Sequence, residues 1–125
     1  MAAEKNYENH VKKFLKGCGC WMVKYWGGAA YTKAGVPDLL VCCSGRFIGI
    51  ELKGQRGRPS DLQLHNLKQI DNAGGYAVLL YPADYELFQN FIRCIVAGDG
   101  TNASLNYELL KSKWVTILEN KIKGE

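Results

Sequence analysis

The amino-terminal half of the chain changes from a helical to a strand-like hydrophobic pattern. Residues 5–16 carry an apolar stripe at helical spacing that includes Tyr7, and glycines end this segment. Three short apolar runs follow at 20–26, 39–43 and 46–53, each next to glycine or another turn-forming residue. This half therefore predicts one helix followed by three strands.

The next part of the chain alternates a helix, a strand and a helix. Ser60 is a suitable N-cap for a helix over about 61–73, which Gly-Gly ends, and the run at 76–81 predicts a buried strand. Asp84 can cap a further helix, because the apolar residues after it recur at helical spacing.

The last segment predicts a loop at 97–104 and a helix over 105–122 with a break near Ser112. The order is helix, three strands, helix, strand and carboxy-terminal helices. That order predicts an α/β fold with a mixed four-stranded sheet flanked by helices. At 125 residues, we expect one domain over 1–125.

Composition excludes several classes of protein. The chain is 47% hydrophobic and 22% charged, which is typical of a globular protein. No apolar run approaches the roughly 20 residues that span a bilayer, and the charged amino terminus lacks the apolar core of a signal peptide. Five cysteines, none at C-x-x-C spacing, predict free thiols. We therefore expect a cytoplasmic protein without a membrane segment.

Charge is distributed unevenly along the chain. Residues 1–68 contain 11 Lys and Arg against 5 Asp and Glu, a net charge of +6, whereas residues 69–125 contain 5 against 7, a net charge of −2. A basic amino-terminal part favours a polyanionic partner.

Three charged residues lie at the ends of the second and third predicted strands: Asp38, Glu51 and Lys53. If Ser44 and Gly45 are the two turn residues of a hairpin, the antiparallel register places Asp38 opposite Glu51, about 5 Å apart at Cβ. Alternation along the strand places Lys53 on the same face as Glu51. The pattern therefore predicts that two carboxylates and one ammonium group meet.

Two carboxylates this close repel each other unless a positive charge lies between them. Lys53 is one source of that charge, and a Mg²⁺ ion with oxygen ligands is another. A plain ion-pair cluster on the surface is the third interpretation.

Pro37-Asp38, twelve further residues and then Glu51-x-Lys53 match the P-D…(D/E)-x-K signature of the PD-(D/E)XK nuclease superfamily. The surrounding "KAGVPDLLV…GRFIGIELKG…PSDLQ…GGYAVLLY" resembles the VRR-Nuc (virus-type replication-repair nuclease) domain, in particular its small stand-alone phage proteins. The resemblance covers about residues 4–82, and 83–125 is then a carboxy-terminal helical extension.

This resemblance implies a restriction-endonuclease-like core and a structure-specific DNA endonuclease that depends on Mg²⁺, with Mn²⁺ as a substitute. Its expected substrate is branched DNA such as four-way (Holliday) junctions. Its expected state is a homodimer in the cytoplasm of the host. The alternative is a non-catalytic DNA-binding module on the same fold.

The resemblance also implies roles for individual residues. Asp38 and Glu51 would ligate the metal ion, together with the backbone carbonyl of Leu52. Lys53 would position or activate the attacking water and hold a phosphate oxygen. Gln63, in "SDLQ", would border the site.

Two of the assignments keep an alternative. The first-helix acid of the family, a catalytic residue that would reach the metal ion directly or through water, is either Glu8 or Glu4, one turn apart, and the spacing to Val11 favours Glu8. Gln63 also fits a capping box with Ser60, which by itself would explain a glutamine at this position.

Basic residues beside the motif are the candidates for DNA binding: Lys24, Lys33, Arg56 and Arg58. One aromatic set either stacks on exposed bases or packs in the core or an interface: Tyr25, Trp26 and Tyr31. Near the carboxy terminus, another set either packs in the core or forms a dimer contact: Trp114, Ile117 and Leu118.

Overall fold

The computed structural model describes residues 2–27 and 30–124, with side chains from residue 5 onwards. Its elements are α1 (Ala2–Gly17), β1 (Trp21–Lys24), β2 (Leu39–Cys43), β3 (Arg46–Leu52), α2 (Asp61–Asn72), β4 (Tyr76–Leu80), a short 3₁₀ turn (Pro82–Asp84), α3 (Tyr85–Val96) and α4 (Gly100–Ile122). The predicted order of elements is confirmed. The fold is α/β and restriction-endonuclease-like.

The four strands form one mixed sheet in the order β1-β2-β3-β4. β1, β2 and β3 pair antiparallel, and β4 runs parallel to β3. Cys43 pairs with Arg46 across the turn, which is the predicted register. Ser44 and Gly45 both have positive φ, at 50° and 78°, as the tight turn of a two-residue hairpin requires. The residue before β2 therefore lies opposite Glu51.

Helices cover both faces of the sheet. On one face, α1 and α3 pack against β2, β3 and β4 through residues such as Leu15, Phe88 and Ile50. On the other face, α2 and α4 pack against β4, with Trp114 buried among them. Trp114 is thus a core residue, and its indole Nε1 donates to the carbonyl of Ala77 at 2.8 Å.

The carboxy-terminal predictions need correction. The predicted loop at 97–104 is too long, because α4 already begins at Gly100, with the Asp99 side chain accepting from the Asn102 amide at 3.1 Å. The predicted break near Ser112 is wrong. The Ser112 hydroxyl donates to the carbonyl of Leu109 within a continuous helix.

Asp84 occupies the N-cap position of α3 but makes no capping hydrogen bond there. Its carboxylate instead lies 3.5 Å from the Lys113 ammonium of α4. None of the helices in the described ranges is long and apolar enough to cross a membrane.

Candidate active site

The predicted site residues meet at one open cavity of about 380 Å³, where β1 and β3 end and β2 begins. Its walls include the following predicted residues: Glu8, Lys24, Asp38, Glu51, Leu52, Lys53 and Gln63. Four separate elements contribute to it, so the long-range fold brings these residues together.

Asp38 is held by backbone contacts on both sides. Its side-chain Oδ2 accepts from the Leu52 amide at 2.8 Å, and its carbonyl accepts from the Tyr25 amide at 2.8 Å. These bonds tie the start of β2 to β3 and to the chain beyond β1. The carboxylate therefore has a fixed position beside Glu51.

The loop before Asp38 is anchored by α2. Asn66 is buried, and its side chain donates to the carbonyls of Ala34 and Leu62 at 3.3 and 2.9 Å. Gly35 has φ 77°, and a Cβ there would lie 2.7 Å from Leu62 Cγ. A side chain at this position would therefore disturb the segment that delivers Asp38.

Glu51 is the most deeply buried acid of the site, at 2% exposure. Its Oε2 accepts from Gln63 Nε2 at 3.0 Å and lies 3.5 Å from the Lys53 ammonium. Its Oε1 is buried and has no hydrogen-bond partner among the described residues. Burial and the nearby Asp38 raise the pKa of Glu51 to about 8, although Lys53 opposes that shift.

Gln63 makes both of the contacts that its sequence context suggested. Its backbone amide donates to the Ser60 hydroxyl at 3.1 Å, and its side-chain oxygen accepts from the Ser60 amide at 2.9 Å, which completes the capping box. The amide nitrogen of the same side chain is left to donate to Glu51. Helix capping and support of the acid are therefore compatible.

Glu8 lines the cavity but is paired with two lysines. Lys24 donates to its Oε1, and Lys12 lies 3.1 Å from its Oε2. Burial acts to raise the pKa of Glu8, yet the hydrogen bonds from Lys24 and Lys12 outweigh it and lower that pKa. The side chain of Glu4, the alternative first-helix acid, lies outside the described residues.

The predicted DNA-binding residues separate into three places. Lys24 lines the active-site cavity, against Glu8, with its ammonium 4.8 Å from the Trp26 ring centre. Arg56 and Arg58 line a neighbouring cavity. Lys33 is exposed and belongs to neither of these cavities.

The prediction of core packing is wrong for two of the three aromatic residues near β1. Trp26 is 71% exposed and Tyr31 is 99% exposed. Tyr25 is half-buried, and its hydroxyl donates to the carbonyl of Lys33 at 2.8 Å. The chain after β1 therefore presents two aromatic side chains to solvent.

Tyr7 is a wall residue of the cavity that the sequence pattern alone does not mark as a site residue. Its ring packs edge-on against Tyr85, as its place in the apolar stripe of α1 requires. Its hydroxyl is buried and has no hydrogen-bond partner in the described part of the chain. The one feature of the sequence that could have indicated this role is that Tyr7, which carries a hydroxyl group, directly precedes the candidate acid Glu8.

The donor set at Asp38 and Glu51 fits a hard divalent cation. Mg²⁺ typically takes one or two carboxylates and completes its coordination with waters and phosphate oxygens. Burial and the nearby Asp38 raise the pKa of Glu51, and its Oε1 has no hydrogen-bond partner among the described residues, so a cation at this carboxylate would offset both effects. Among the side chains that the structure describes, those of residues 5–27 and 30–124, no group of three or more His, Cys, Asp or Glu could hold a metal ion.

Comparison with known proteins finds a match to one protein family. The model of the archaeal Holliday junction resolvase (Hjc) family matches residues 2–102. No curated protein and no solved structure matches the chain. The matched range includes the whole cavity and ends within the first turn of α4.

Proposed function

Because the chain belongs to the archaeal Holliday junction resolvase family, whose members are nucleases of the PD-(D/E)XK type, we propose that it cuts four-way DNA junctions in a reaction that depends on a divalent metal ion. The observation that carries the proposal is the group of Asp38, Glu51 and Lys53 in one cavity, with a buried carboxylate oxygen that has no partner among the described residues.

Mg²⁺ is the proposed ion, and Mn²⁺ can replace it. Asp38 and Glu51 would hold it, with the carbonyl of Leu52 as a further ligand. When bound, the ion stabilises negative charge on the phosphate and lowers the pKa of the attacking water. The raised pKa of Glu51 supports this assignment, because a cation favours the charged form of the carboxylate.

The other residues of the cavity position the reactants. Lys53 places its ammonium beside Glu51, where it can hold a phosphate oxygen and orient water. Gln63 fixes one oxygen of Glu51 through its amide and leaves the other oxygen available. Glu8 acts from α1 and keeps Lys24 at the edge of the cavity, where its positive charge faces the DNA backbone.

Lys24, Lys33, Arg56 and Arg58 would supply affinity for the phosphates of DNA. Such contacts position the substrate without reading its base sequence. Recognition of the junction by its shape follows from this arrangement.

A homodimer is part of the proposal, because symmetric cutting of two strands requires two active sites. The outer face of β1 and β2 supports it. Trp21, Cys42 and Phe47 are neighbours across the strands on this face, and all three are exposed. Val23, on the same face of β1, is 44% exposed. A second copy of the chain would cover this apolar strip.

The finer classification also stays a proposal. We place the chain with the small stand-alone VRR-Nuc proteins of phages, as one domain acting in the host cytoplasm. The sequence signature from Pro37 to Lys53 supports this placement.

Cleavage of labelled DNA tests the proposal. Four-way, flapped and linear DNA is incubated with the protein in Mg²⁺, Mn²⁺ or EDTA. We expect metal-dependent cleavage that is fastest on the four-way junction, and a loss of about 100-fold or more in Lys53→Ala. Lys13→Ala, which removes an exposed charge from α1, should cleave normally.

Salt-sensitive binding of DNA by the wild-type protein without cleavage in either metal ion would overturn the proposal. That result would favour the non-catalytic DNA-binding module. Circular dichroism of Lys53→Ala checks that the variant is folded.

A further inference from the structure

A second cavity of about 400 Å³ lies beside the active site, between the loop that follows β3 and the carboxy-terminal half of α4. Its charged wall residues are Arg56 and Arg58 from the loop, and Lys113 and Lys121 from α4. No Asp or Glu of the described chain lines it. The cavity therefore presents four cationic side chains to one space.

Two of these cations are paired with acids that do not line the cavity, and two are not. Lys113 lies 3.5 Å from Asp84, and Lys121 lies 2.5 Å from Asp61. Arg56 and Arg58 form no ion pair with the described side chains, those of residues 5–27 and 30–124. The cavity thus keeps an excess of positive charge, which favours an anionic ligand.

The wall is held in shape by polar contacts. The hydroxyl of Tyr81 donates to the carbonyl of Gly57 at 2.8 Å, and the Gly57 amide donates to the carbonyl of Gly54 at 2.9 Å. The Lys113 ammonium lies 5.5 Å from the Tyr81 ring centre, which joins α4 to the same wall. The arginines are therefore carried by an anchored loop.

The two cavities adjoin through Gly57. A Cβ at this position would lie 3.2 Å from the Cβ and Cδ atoms of Lys53. Gly57 lines the second cavity, while Lys53 lines the active site. A polyanion that places one phosphate at Lys53 can therefore continue into the second cavity with its next phosphates.

We propose that the second cavity binds the sugar–phosphate backbone of the DNA arm that leaves the active site, with α4 forming one side of it through Lys113 and Lys121. This inference rests on the proposed function. Both lysines lie beyond residue 102, where the family match ends. This chain thus extends its DNA contact through the part of α4 that lies beyond the matched range.

Metal-free binding separates this inference from catalysis. The affinity for a four-way junction is measured by fluorescence anisotropy in EDTA over a series of salt concentrations. Lys113→Gln and Arg58→Gln should each weaken binding about 3- to 10-fold, and each should reduce the slope of log K against log salt by about 0.9. Lys13→Gln, on α1, removes the same charge elsewhere and should leave both values unchanged.

Asp84→Asn is the control for Lys113→Gln, because both variants break the same ion pair. It removes the Lys113–Asp84 contact but keeps the cation, so we expect equal or tighter DNA binding. Equal weakening by Asp84→Asn and Lys113→Gln would instead show that the ion pair only supports the fold, and would overturn the inference.

Arm length gives an independent readout. When the arms of the junction are shortened until they no longer reach the second cavity, the difference between the wild-type protein and Lys113→Gln should disappear. Wild-type salt dependence in both Lys113→Gln and Arg58→Gln would overturn the inference, and metal-dependent cleavage by the same proteins would leave the nuclease proposal standing. If the wild-type protein neither binds nor cleaves the junction, both fail.

Discussion

Glu51 lies where the fold removes its carboxylate from water. Three groups face it: Asp38 before β2, Lys53 beyond the end of its own strand, and Gln63 from α2. Burial and Asp38 favour the protonated form, and Lys53 favours the charged form. Their balance raises the pKa of Glu51 from 4.5 to about 8. In the metal-free protein, therefore, Glu51 is protonated in most molecules at neutral pH.

We expect this raised pKa to make the metal-free protein less stable as the pH rises. The folded state binds the Glu51 proton more tightly than the unfolded state does, so the stabilisation is complete below pH 4.5 and is lost as the pH rises to about 8. Between these values the free energy of unfolding should fall by a few kcal/mol, since one pKa unit corresponds to about 1.4 kcal/mol. Urea unfolding in EDTA at a series of pH values measures this free energy of unfolding.

The difference between the wild-type protein and Glu51→Gln isolates this residue. Glu51→Gln has no carboxyl group there to titrate, so its stability should depend less on pH over the same range. Glu119→Gln, which removes an exposed acid from α4, should follow the wild-type curve. Parallel curves for Glu51→Gln and the wild-type protein would contradict the assignment. Above pH 7, added Mg²⁺ should restore stability to the wild-type protein only.

At the scale of single elements, the first turn of α2 combines capping with support of the site. Gln63→Ala removes the bond from the Ser60 amide to the Gln63 side chain and the bond to Glu51. Ser60→Ala removes only the bond from the Gln63 amide to the Ser60 hydroxyl. Each should cost about 1 kcal/mol of stability. Only Gln63→Ala should slow cleavage, by about tenfold or more, because Glu51 then loses its amide donor.

Single-turnover cleavage rates, measured well below the melting temperature of both variants, test this difference. If Ser60→Ala slows the reaction as much as Gln63→Ala does, Gln63 acts only through the start of the helix. Circular dichroism melts confirm that the two variants are compared at equal folded fractions.

Elements with local signals could be predicted from the sequence, and elements set by distant packing could not. The register of β2 and β3 follows from Ser44 and Gly45 alone, because a two-residue turn leaves one pairing. The continuity of α4 through Ser112 depends on the burial of Trp114 against β4, which lies far away in the sequence. For the same reason, the buried Tyr7 hydroxyl, which has no hydrogen-bond partner among the described residues, could not be predicted, since it depends on how α1 packs on the sheet.

At the scale of the whole molecule, the sheet is covered unevenly. α2 and α4 protect one face over β4, whereas the same face of β1 is left with Trp21 at 66% exposure. The register continues this apolar strip through Cys42 to Phe47, which is 44% exposed. Apolar neighbours at an uncovered sheet face are typical of a protein–protein contact.

We expect Trp21→Glu to separate the proposed dimer without unfolding the protomer, since the indole is largely outside the core. Light scattering should give about twice 14.0 kDa for the wild-type protein and 14.0 kDa for the variant. Leu109→Glu places the same charge at an equally exposed apolar residue of α4 and should remain dimeric.

Cleavage of a plasmid that extrudes a cruciform links this assembly to the reaction. A dimer cuts both strands within one encounter and yields linear DNA, whereas a separated protomer cuts one strand and yields nicked circles. Trp21→Glu should therefore shift the product from linear to nicked DNA while keeping its dependence on metal ions. A wild-type protein that is monomeric on the junction would contradict the proposed dimer. A Trp21→Glu variant that still produces linear DNA would place the dimer contact somewhere other than this face.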